Sequence, residues 1–332
     1  MPPSRPDRAA PASGESPDAP DQVRELAARR VAARRARDFA AADDLRNQIA
    51  ELGWLVTDTA AGYELAPGSV EPPSGGPKYK VLPNPAAIPA ARPGPGHGAR
   101  PATIGLLVEG WPDDLRECVE ALLAYAPAGV VISALDVGNQ DGAGDALADL
   151  ALAHQDRIDA WHVASSPGWS AGRNALLRAD PAPVHVVMET STILTGDAIS
   201  PLLRALATGT VSGARVVAAG WQGVEHDDDL QNFHPSGPGQ VEALLGYLLA
   251  VRSDAAAAAG GLPGKARFYR NADLEFSLRL GRLGTLVVPD EPLPVRQSRH
   301  RGYHDSDPAY RERESRRNYG RVLDLLRSGG GR

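Results

Sequence analysis

The sequence predicts an α/β fold: a mostly parallel sheet flanked by helices, with a small N-terminal αα-hairpin and β-hairpin in front of it. Three observations lead there. Short apolar runs rich in Val, Ile and Leu recur beyond residue 103, at 104–108, 130–135, 160–164, 184–188 and 213–221. Runs of this length with no polar face read as strands buried on both sides, the habit of parallel sheets. Stretches of helical spacing lie between the runs, and strand–helix alternation builds right-handed βαβ units. Before residue 67 the pattern is different, with two helical periods followed by two short strands.

Composition bounds the class. The chain has 332 residues, 42% hydrophobic and 23% charged, with a formal net charge of -6. That length accommodates one large domain and something smaller. The acidic balance excludes bulk nucleic-acid binding by net charge, though not a local basic patch. Cys118 is the single cysteine, so no intramolecular disulfide can form, as in a reducing cytoplasm. The opening residues Met1, Pro2, Pro3 and Ser4 begin no apolar signal core, and no stretch reaches the roughly 18 apolar residues of a membrane span.

Residues 1–20 are Pro, Ser, Ala and charge, a composition that reads as a disordered tail. From Asp21, Val23, Leu26, Ala27 and Val31 recur at helical spacing. Asp38 is placed to cap a second helix through Phe39, Ala42, Leu45, Ile49 and Leu52, with Gly53 closing it. Residues 54–59 and 63–65 flank Ala60, Ala61 and Gly62 as a β-hairpin. Arg24, Arg29, Arg30, Arg34, Arg35 and Arg37 make the first helix basic. A solvated face is the favoured reading; contact with RNA phosphates is the sharper one. Residues 67–100 are dense in Pro and Gly and read as a linker to an α/β domain at 101–332.

In that domain Asp113 or Asp114 begins a helix carrying Leu115, Cys118, Val119, Leu122 and Leu123 on one face, and residues 144–154 fit another. Pro167 and Gly168 make a turn, and Ser170 is placed to cap a helix bearing Arg173 and Asn174. Three strand ends thereby deliver Glu109, Asp136 and Glu189 to one edge, where ligands of open α/β sheets bind. Glu189, Thr190 and Ser191 follow their strand directly. Neither a Gly-x-Gly-x-x-Gly turn nor a Gly-Lys-Ser/Thr phosphate loop is present. Glu225, His226 and Asp227–Asp229 form an acidic cluster read as a solvated loop, and Trp221 can stack on a sugar or base or fill the core. A helix with Tyr319, Val322, Leu323 and Leu326 on one face ends the chain and is expected to pack back on the sheet.

Residues 21–66 resemble the C-terminal helical module of cysteinyl-tRNA synthetases, through Arg37-Asp-Phe-Ala-Ala-Ala-Asp-Asp-Leu-Arg46, Leu52-Gly-Trp54 and Thr57-Asp-Thr-Ala-Ala-Gly62. No nucleotide-binding motif or zinc-site cysteine set of a synthetase accompanies them, so the resemblance does not imply aminoacylation.

Residues 102–300 resemble the family 2 glycosyltransferases of the GT-A fold. The carriers are Asp136 after the second strand, the Gly168-x-x-x-Gly172-Arg173-Asn174 helix start, and Glu189-Thr190-Ser191 at the position of the Asp-x-Asp metal motif. Residues 246–253 resemble the acceptor-side strand, and residues 268–279 the Glu-Asp-x-Asp helix. The resemblance implies sugar transfer from a nucleotide-diphosphate sugar to an unknown acceptor, with inversion and a divalent cation, Mn or Mg. Asp136, Arg173 and Asn174 would face the nucleotide, with Glu109, Ser191, Trp221 and Asn271 as further substrate contacts. Glu189 and the late His300 would hold the cation. Two residues depart from the family. Ser191 is neutral, a weak ligand for a hard cation. Asn271 stands at the usual base position and cannot take a proton, which leaves Asp273 two residues on. Asp273 has taken over as base, or the acceptor needs little activation, or the domain is a binding relative with weak catalysis.

Overall fold

A computed structural model of the chain describes residues 19–35, 42, 45, 48, 49, 52, 54–59, 62–67, 79–90, 100–139, 141–207, 209–227 and 232–329. The chain forms two compact units, Met1–Pro77 and Lys78–Arg332. Of the expected disordered tail at 1–20, residues 1–18 lie outside the described residues, as do the cap at Asp38, Gly53 and most of the 67–100 stretch; the end of the tail is ordered instead, since Ala19 is buried and the Pro20 carbonyl accepts from the Val23 and Arg24 amides.

In the first unit, helix α1 spans Asp21–Arg35. Its stripe of Val23, Leu26 and Ala27 is buried with Leu45, Ile49 and Leu65, which fixes which face turns inward. Strands β1 (Trp54–Thr59) and β2 (Gly62–Pro67) pair antiparallel, with Thr59 opposite Gly62. Gly62 takes φ 141°, a conformation open to glycine at little cost. One arginine departs from the expected basic face: Arg30 is buried, while Arg29 is exposed and Arg24 is paired with Asp21.

The second unit begins inside the Pro/Gly-rich stretch. Strand β3 (Val81–Leu82) is followed by a 3₁₀ turn, Pro85–Ala87, in which Asn84 accepts a bond from the Ala86 amide. Ile88 then enters the core. The βα repeats follow as β4 (Thr103–Val108), α2 (Pro112–Tyr125), β5 (Val131–Asp136), α3 (Ala143–Ala153), β6 (Ile158–Val163), α4 (Trp169–Ala179) and β7 (Val184–Met188). Strands β3 to β7 pair in parallel in the order β7-β4-β5-β6-β3. After β8 (Thr192–Leu194), α5 (Ile199–Ala207) and the short β9 (Thr210–Val211), the sheet extends through β10 (Ala214–Gly220), β15 (Leu248–Arg252) and β16 (Thr285–Val288); β11 (Gly223–His226), β12 (Phe233–Ser236), β13 (Gly239–Val241) and β14 (Ala243–Leu244) lie between β10 and β15 in the chain. β15 runs antiparallel to both β7 and β10, so the sheet is mainly parallel with an antiparallel insertion.

Alternation along each strand divides the core in two. Leu106 packs with Leu115, Cys118 and Ile199 on one face, and Leu107 with Leu176, Trp169 and Phe276 on the other. Gly172 permits α4 to lie close to the sheet, since a Cβ there would sit 2.5 Å from Leu107 Cδ1.

Three local expectations are corrected. Ser170 does not cap α4: Gly168 holds that place and Ser170 is buried in the first turn. The motif helix, α7, runs Ala272–Gly281 rather than from residue 268, because Asn271 at its N-cap takes a left-handed φ of 65°. The last helix, α8 (Pro308–Gly329), does not pack on the central sheet. Both sheet faces are already covered, so its apolar stripe of Tyr319, Val322 and Leu326 packs against Leu274 and Leu278 of α7, with Val224 and Phe233 of a small three-stranded sheet.

Candidate active site

Glu189 stands at the carboxyl end of β7, between backbone and core. Its Oε1 accepts from Arg173 Nη2 at 3.0 Å and from Trp169 Nε1 at 3.2 Å, both from α4. Arg173 is fully buried and also donates to the Gly105 carbonyl at 2.7 Å. Burying a carboxylate is costly unless it is paired and hydrogen-bonded in this way. The second oxygen, Oε2, faces His300 Nε2 at 3.8 Å.

A short ribbon brings this late histidine to the strand end. β17 (Val295–Gln297) pairs antiparallel with β8, and the Ser298 amide donates to Ser191 O at 2.7 Å. The Gln297 amide donates to Ser191 Oγ at 2.8 Å, so Ser191 closes the ribbon. His300 is stacked on Tyr269 at 4.3 Å and meets Tyr247 edge-on at 6.4 Å. Its Nδ1 accepts from the Tyr303 amide at 3.1 Å, and its buried Nε2 has no hydrogen-bond partner.

Asp273 enters from α7. The Gly246 amide donates to Oδ2 at 2.9 Å and the Leu274 amide to Oδ1 at 3.0 Å. Gly246 allows this approach, because a Cβ there would lie 3.0 Å from that of Asp273. Burial pushes the Asp273 carboxyl up to about 6, opposed by those amide bonds and reinforced by the charge of Glu189. Glu109, beyond β4, is half-buried and is pushed up to about 7, by burial first and then by Glu189, with Arg173 pulling the other way. Burial also raises the Tyr247 and Tyr269 phenols, and both feel the charges of Glu189 and Asp273. His300 thus touches Glu189 and both phenols, and the charge of Glu189 reaches the Glu109 and Asp273 carboxyls.

The other expected site residues are placed differently. Asp136 is buried and occupied: Asn139 donates to its Oδ1 at 2.7 Å, and His162 Nδ1 lies 3.2 Å from Oδ2. Tyr79, from the Pro/Gly-rich stretch, stacks on His162 at 3.7 Å. Asn174 clamps the loop after α6 (Ser253–Ala258), exchanging bonds with the Leu262 carbonyl and amide at 3.0 and 2.8 Å. Trp221 is half-buried against the part of the core that holds Leu106 and Ile199. Asn271 turns its amide to the Ser315 carbonyl at 3.1 Å, tying α7 to the last helix. Among the described residues no group of three or more His, Cys, Asp or Glu side chains is arranged to hold a metal ion.

Sequence reasoning missed Trp169, Tyr247, Tyr269 and Gln297. Trp169 lies inside the Gly168–Asn174 motif, and Tyr247 and Tyr269 are the aromatics of the two later motifs, so aromatic residues next to motif positions were the available signal. Gln297 carried none, because its role depends on the pairing of β8 with β17.

Comparison with known proteins separates the two units. Residues 16–63 match the family described as the cysteinyl-tRNA ligase anticodon binding domain. A cysteine–tRNA ligase of Opitutus terrae (strain DSM 11246 / JCM 15787 / PB90-1) is 48% identical over 50 residues, which is 15% of this chain and 11% of that protein. The α/β unit is similar in fold to GT-A glycosyltransferases. GalNAc-T7, solved with UDP, GalNAc and Mn²⁺, superposes with a TM-score of 0.53 at 13% identity, over 68% of this chain and 48% of that one. The mannosyltransferase PcManGT of Pyrobaculum calidifontis, in complex with GDP-Man and Mn²⁺, gives a TM-score of 0.47 at 14% identity, over 76% and 79% of the two chains. The chain spans about half the length of GalNAc-T7 and a small part of the ligase. No helix among the described residues is long and apolar enough to cross a membrane.

Proposed function

We propose that the α/β unit is a glycosyltransferase of the family 2 kind, moving a sugar from a nucleotide-diphosphate sugar to an acceptor hydroxyl with inversion. The observation that carries the reading is the approach of His300 to Glu189 at the carboxyl end of β7, with Asp273 near enough to feel the Glu189 charge. The fold shared with GalNAc-T7, which binds UDP and Mn²⁺, supports it. The single Cys118 fits a cytoplasmic setting.

Asp273 is the general base. Its two amide bonds fix the carboxylate, and a value of about 6 leaves it ionised at neutral pH yet basic enough to take a hydroxyl proton. Glu109, near the charge of Glu189, is part protonated at pH 7 and can donate a hydrogen bond to the donor. Arg173 acts by pairing with and orienting Glu189, since it is fully buried.

The protein groups fit a divalent cation that takes most of its ligands from the donor. Glu189 Oε2 is free of the Arg173 and Trp169 bonds, and it lies 3.8 Å from the unpartnered His300 Nε2. For Nε2 to ligate, Nδ1 must carry the proton and give up the Tyr303 amide; that amide also bonds His300 O at 3.1 Å, so the exchange leaves it paired. Small divalent ions are commonly held by one or two carboxylates plus substrate phosphates. The cation's contribution, when bound, is to offset the charge of the departing diphosphate.

The test is release of nucleoside diphosphate from UDP-, GDP- and dTDP-sugars, with and without Mn²⁺, alongside thermal shift with the same compounds. Stabilisation scales with ligand concentration over dissociation constant, so weak specific binding registers. Binding without release for every donor and acceptor tried would replace the enzyme with a nucleotide-sugar-binding relative. For the first unit, the anticodon-binding match and the exposed Arg29 favour RNA contact as a second reading, to be judged by tRNA titration.

A further inference from the structure

α8 and the segment before α7 form an open pocket of about 600 Å³, lined by Arg270, Asn271, Tyr303, Arg311, Glu312 and Arg316 among others. That is room for a small molecule rather than a macromolecule. Its charge is unbalanced. Arg316 pairs with Glu312 at 2.5 Å. Arg270 and Arg311 have no carboxylate partner among the described residues. Both lie over the same ring, Arg270 at 5.1 Å and Arg311 at 4.1 Å from the centre of Tyr303. Arg311 is further fixed by donating to the Tyr303 carbonyl at 2.7 Å. Two guanidinium groups near one aromatic ring, without carboxylate partners, make a cationic site that attracts an oxyanion. The planar fork of arginine matches phosphate and carboxylate geometry.

The cavity adjoins the proposed reaction centre through the chain itself, because Arg270 and Asn271 lead into Ala272 and Asp273. The charge of Arg270 also reaches Tyr247 and Tyr269 in the cleft. Neighbouring carbonyls hold this segment rigidly: Asn318, buried in α8, donates to the Phe268 and Arg270 carbonyls, each at 2.8 Å.

We propose that this cavity binds the acceptor, and that the acceptor is a small molecule bearing a phosphate or carboxylate held by Arg270 and Arg311. The assignment rests on the glycosyl-transfer reading of the adjoining cleft. With its anionic group on the two arginines, the acceptor presents a hydroxyl toward Asp273. Asp273 takes the hydroxyl proton, the oxygen bonds to the anomeric carbon, and the nucleoside diphosphate leaves with the bonding electron pair.

The experiment uses the full chain. Dissociation constants are measured by NMR titration for phenyl phosphate, benzoate and the neutral benzyl alcohol, and separately for UDP with Mn²⁺. Phenyl phosphate or benzoate should bind at least about tenfold more tightly than benzyl alcohol, and which of the two wins distinguishes a phosphate from a carboxylate acceptor. Arg270→Gln and Arg311→Gln should each lose about tenfold for that probe and leave the UDP constant unchanged. The wild-type comparison of charged with neutral probes needs no variant, so it stands even if a variant folds poorly. Equal binding of the three probes overturns the proposal, as does a weakening of UDP as large as that of phenyl phosphate, which would give the arginines to the donor. If no nucleotide binds while arginine-dependent anion binding persists, the glycosyl-transfer reading falls and takes the acceptor role with it, while the cavity's anion selectivity stands.

Discussion

Replacing Asp273 by Asn separates two consequences of one carboxyl. As a general base, an ionised Asp273 should contribute roughly 10²–10⁴-fold to transfer. Asp273→Asn should therefore lower the rate of nucleoside diphosphate release by that factor while leaving donor affinity in place. The pH profile follows from the value of about 6. The base works deprotonated, so the wild-type rate should rise through pH 6, level above pH 7, and at pH 5 stand at about a tenth of its plateau. Stability runs the other way. A carboxyl raised from 3.8 to about 6 in the folded chain favours folding most in its protonated form, so its contribution is full below pH 4 and is lost as pH rises through 6. Two units correspond to roughly 3 kcal/mol, an upper bound because the half-buried group retains some solvent. Asp273→Asn should thus gain on wild type in denaturant midpoint between pH 4.5 and pH 8, even as its activity falls. An Asn variant with wild-type rates would reduce Asp273 to a helix-start carboxylate. A stability difference that does not change with pH would refute the buried-carboxyl argument independently.

The other predictions concern the groups around it. Arg173→Leu leaves Glu189 buried without its partner and should cost about 3–5 kcal/mol, read as a lower urea midpoint with an unchanged m-value. Glu189→Gln keeps the shape and removes the charge, so nucleoside diphosphate binding should lose its dependence on Mn²⁺; Ser191→Asp should strengthen that dependence, both read by titration with and without the metal. A tRNA pool titrated into the full chain at physiological salt should bind no more tightly than about 10⁻⁶ M, since Asp21 already pairs with Arg24 and Arg30 is buried; a tighter constant would favour RNA as the working partner of the first unit. Limited proteolysis should cut first between residues 68 and 78 and leave a fragment beginning near Lys78, where the second compact unit starts; early cleavage within the βα repeats would refute that boundary.

Much of the sheet was legible because its strands are buried on both faces and so are continuously apolar. Val184–Met188 was readable to the residue, and β4, β5 and β6 within two. Ends governed by backbone conformation were not. A serine in a polar turn looks like a cap, yet the chain uses Gly168 at φ 84° and buries Ser170. Two residues of strand inside a Pro/Gly-rich stretch give no periodicity, so β3 has no local signal; only its parallel register with His162 and Val163 creates it.

The site divides along the same line. Glu109 and Glu189 could be placed at the ends of their own strands because a strand end is a local feature. Residues whose side chains depend on a partner far along the chain could not. Arg173 sits in the motif expected to face a nucleotide, but a guanidinium one helical turn into α4 reaches the strand end before it reaches solvent, and Glu189 is there to meet it. Asn271 shows the same logic at a backbone level. A left-handed N-cap favours Asn over most residues, and the last helix offers the Ser315 carbonyl to its amide. A carboxylate at that position would face the carbonyl with no proton to donate to it. Under the proposed function, a base at 271 conflicts with the joint that Asn271 makes, and the carboxylate comes from a nearby residue of the same helix start. That residue is Asp273, held by the Gly246 amide. Docking of α8, which also frames the arginine-lined cavity, and transfer of the base position from 271 to 273 are in this account one structural change, so a variant that restores Asp at 271 should loosen the last helix before it restores any activity.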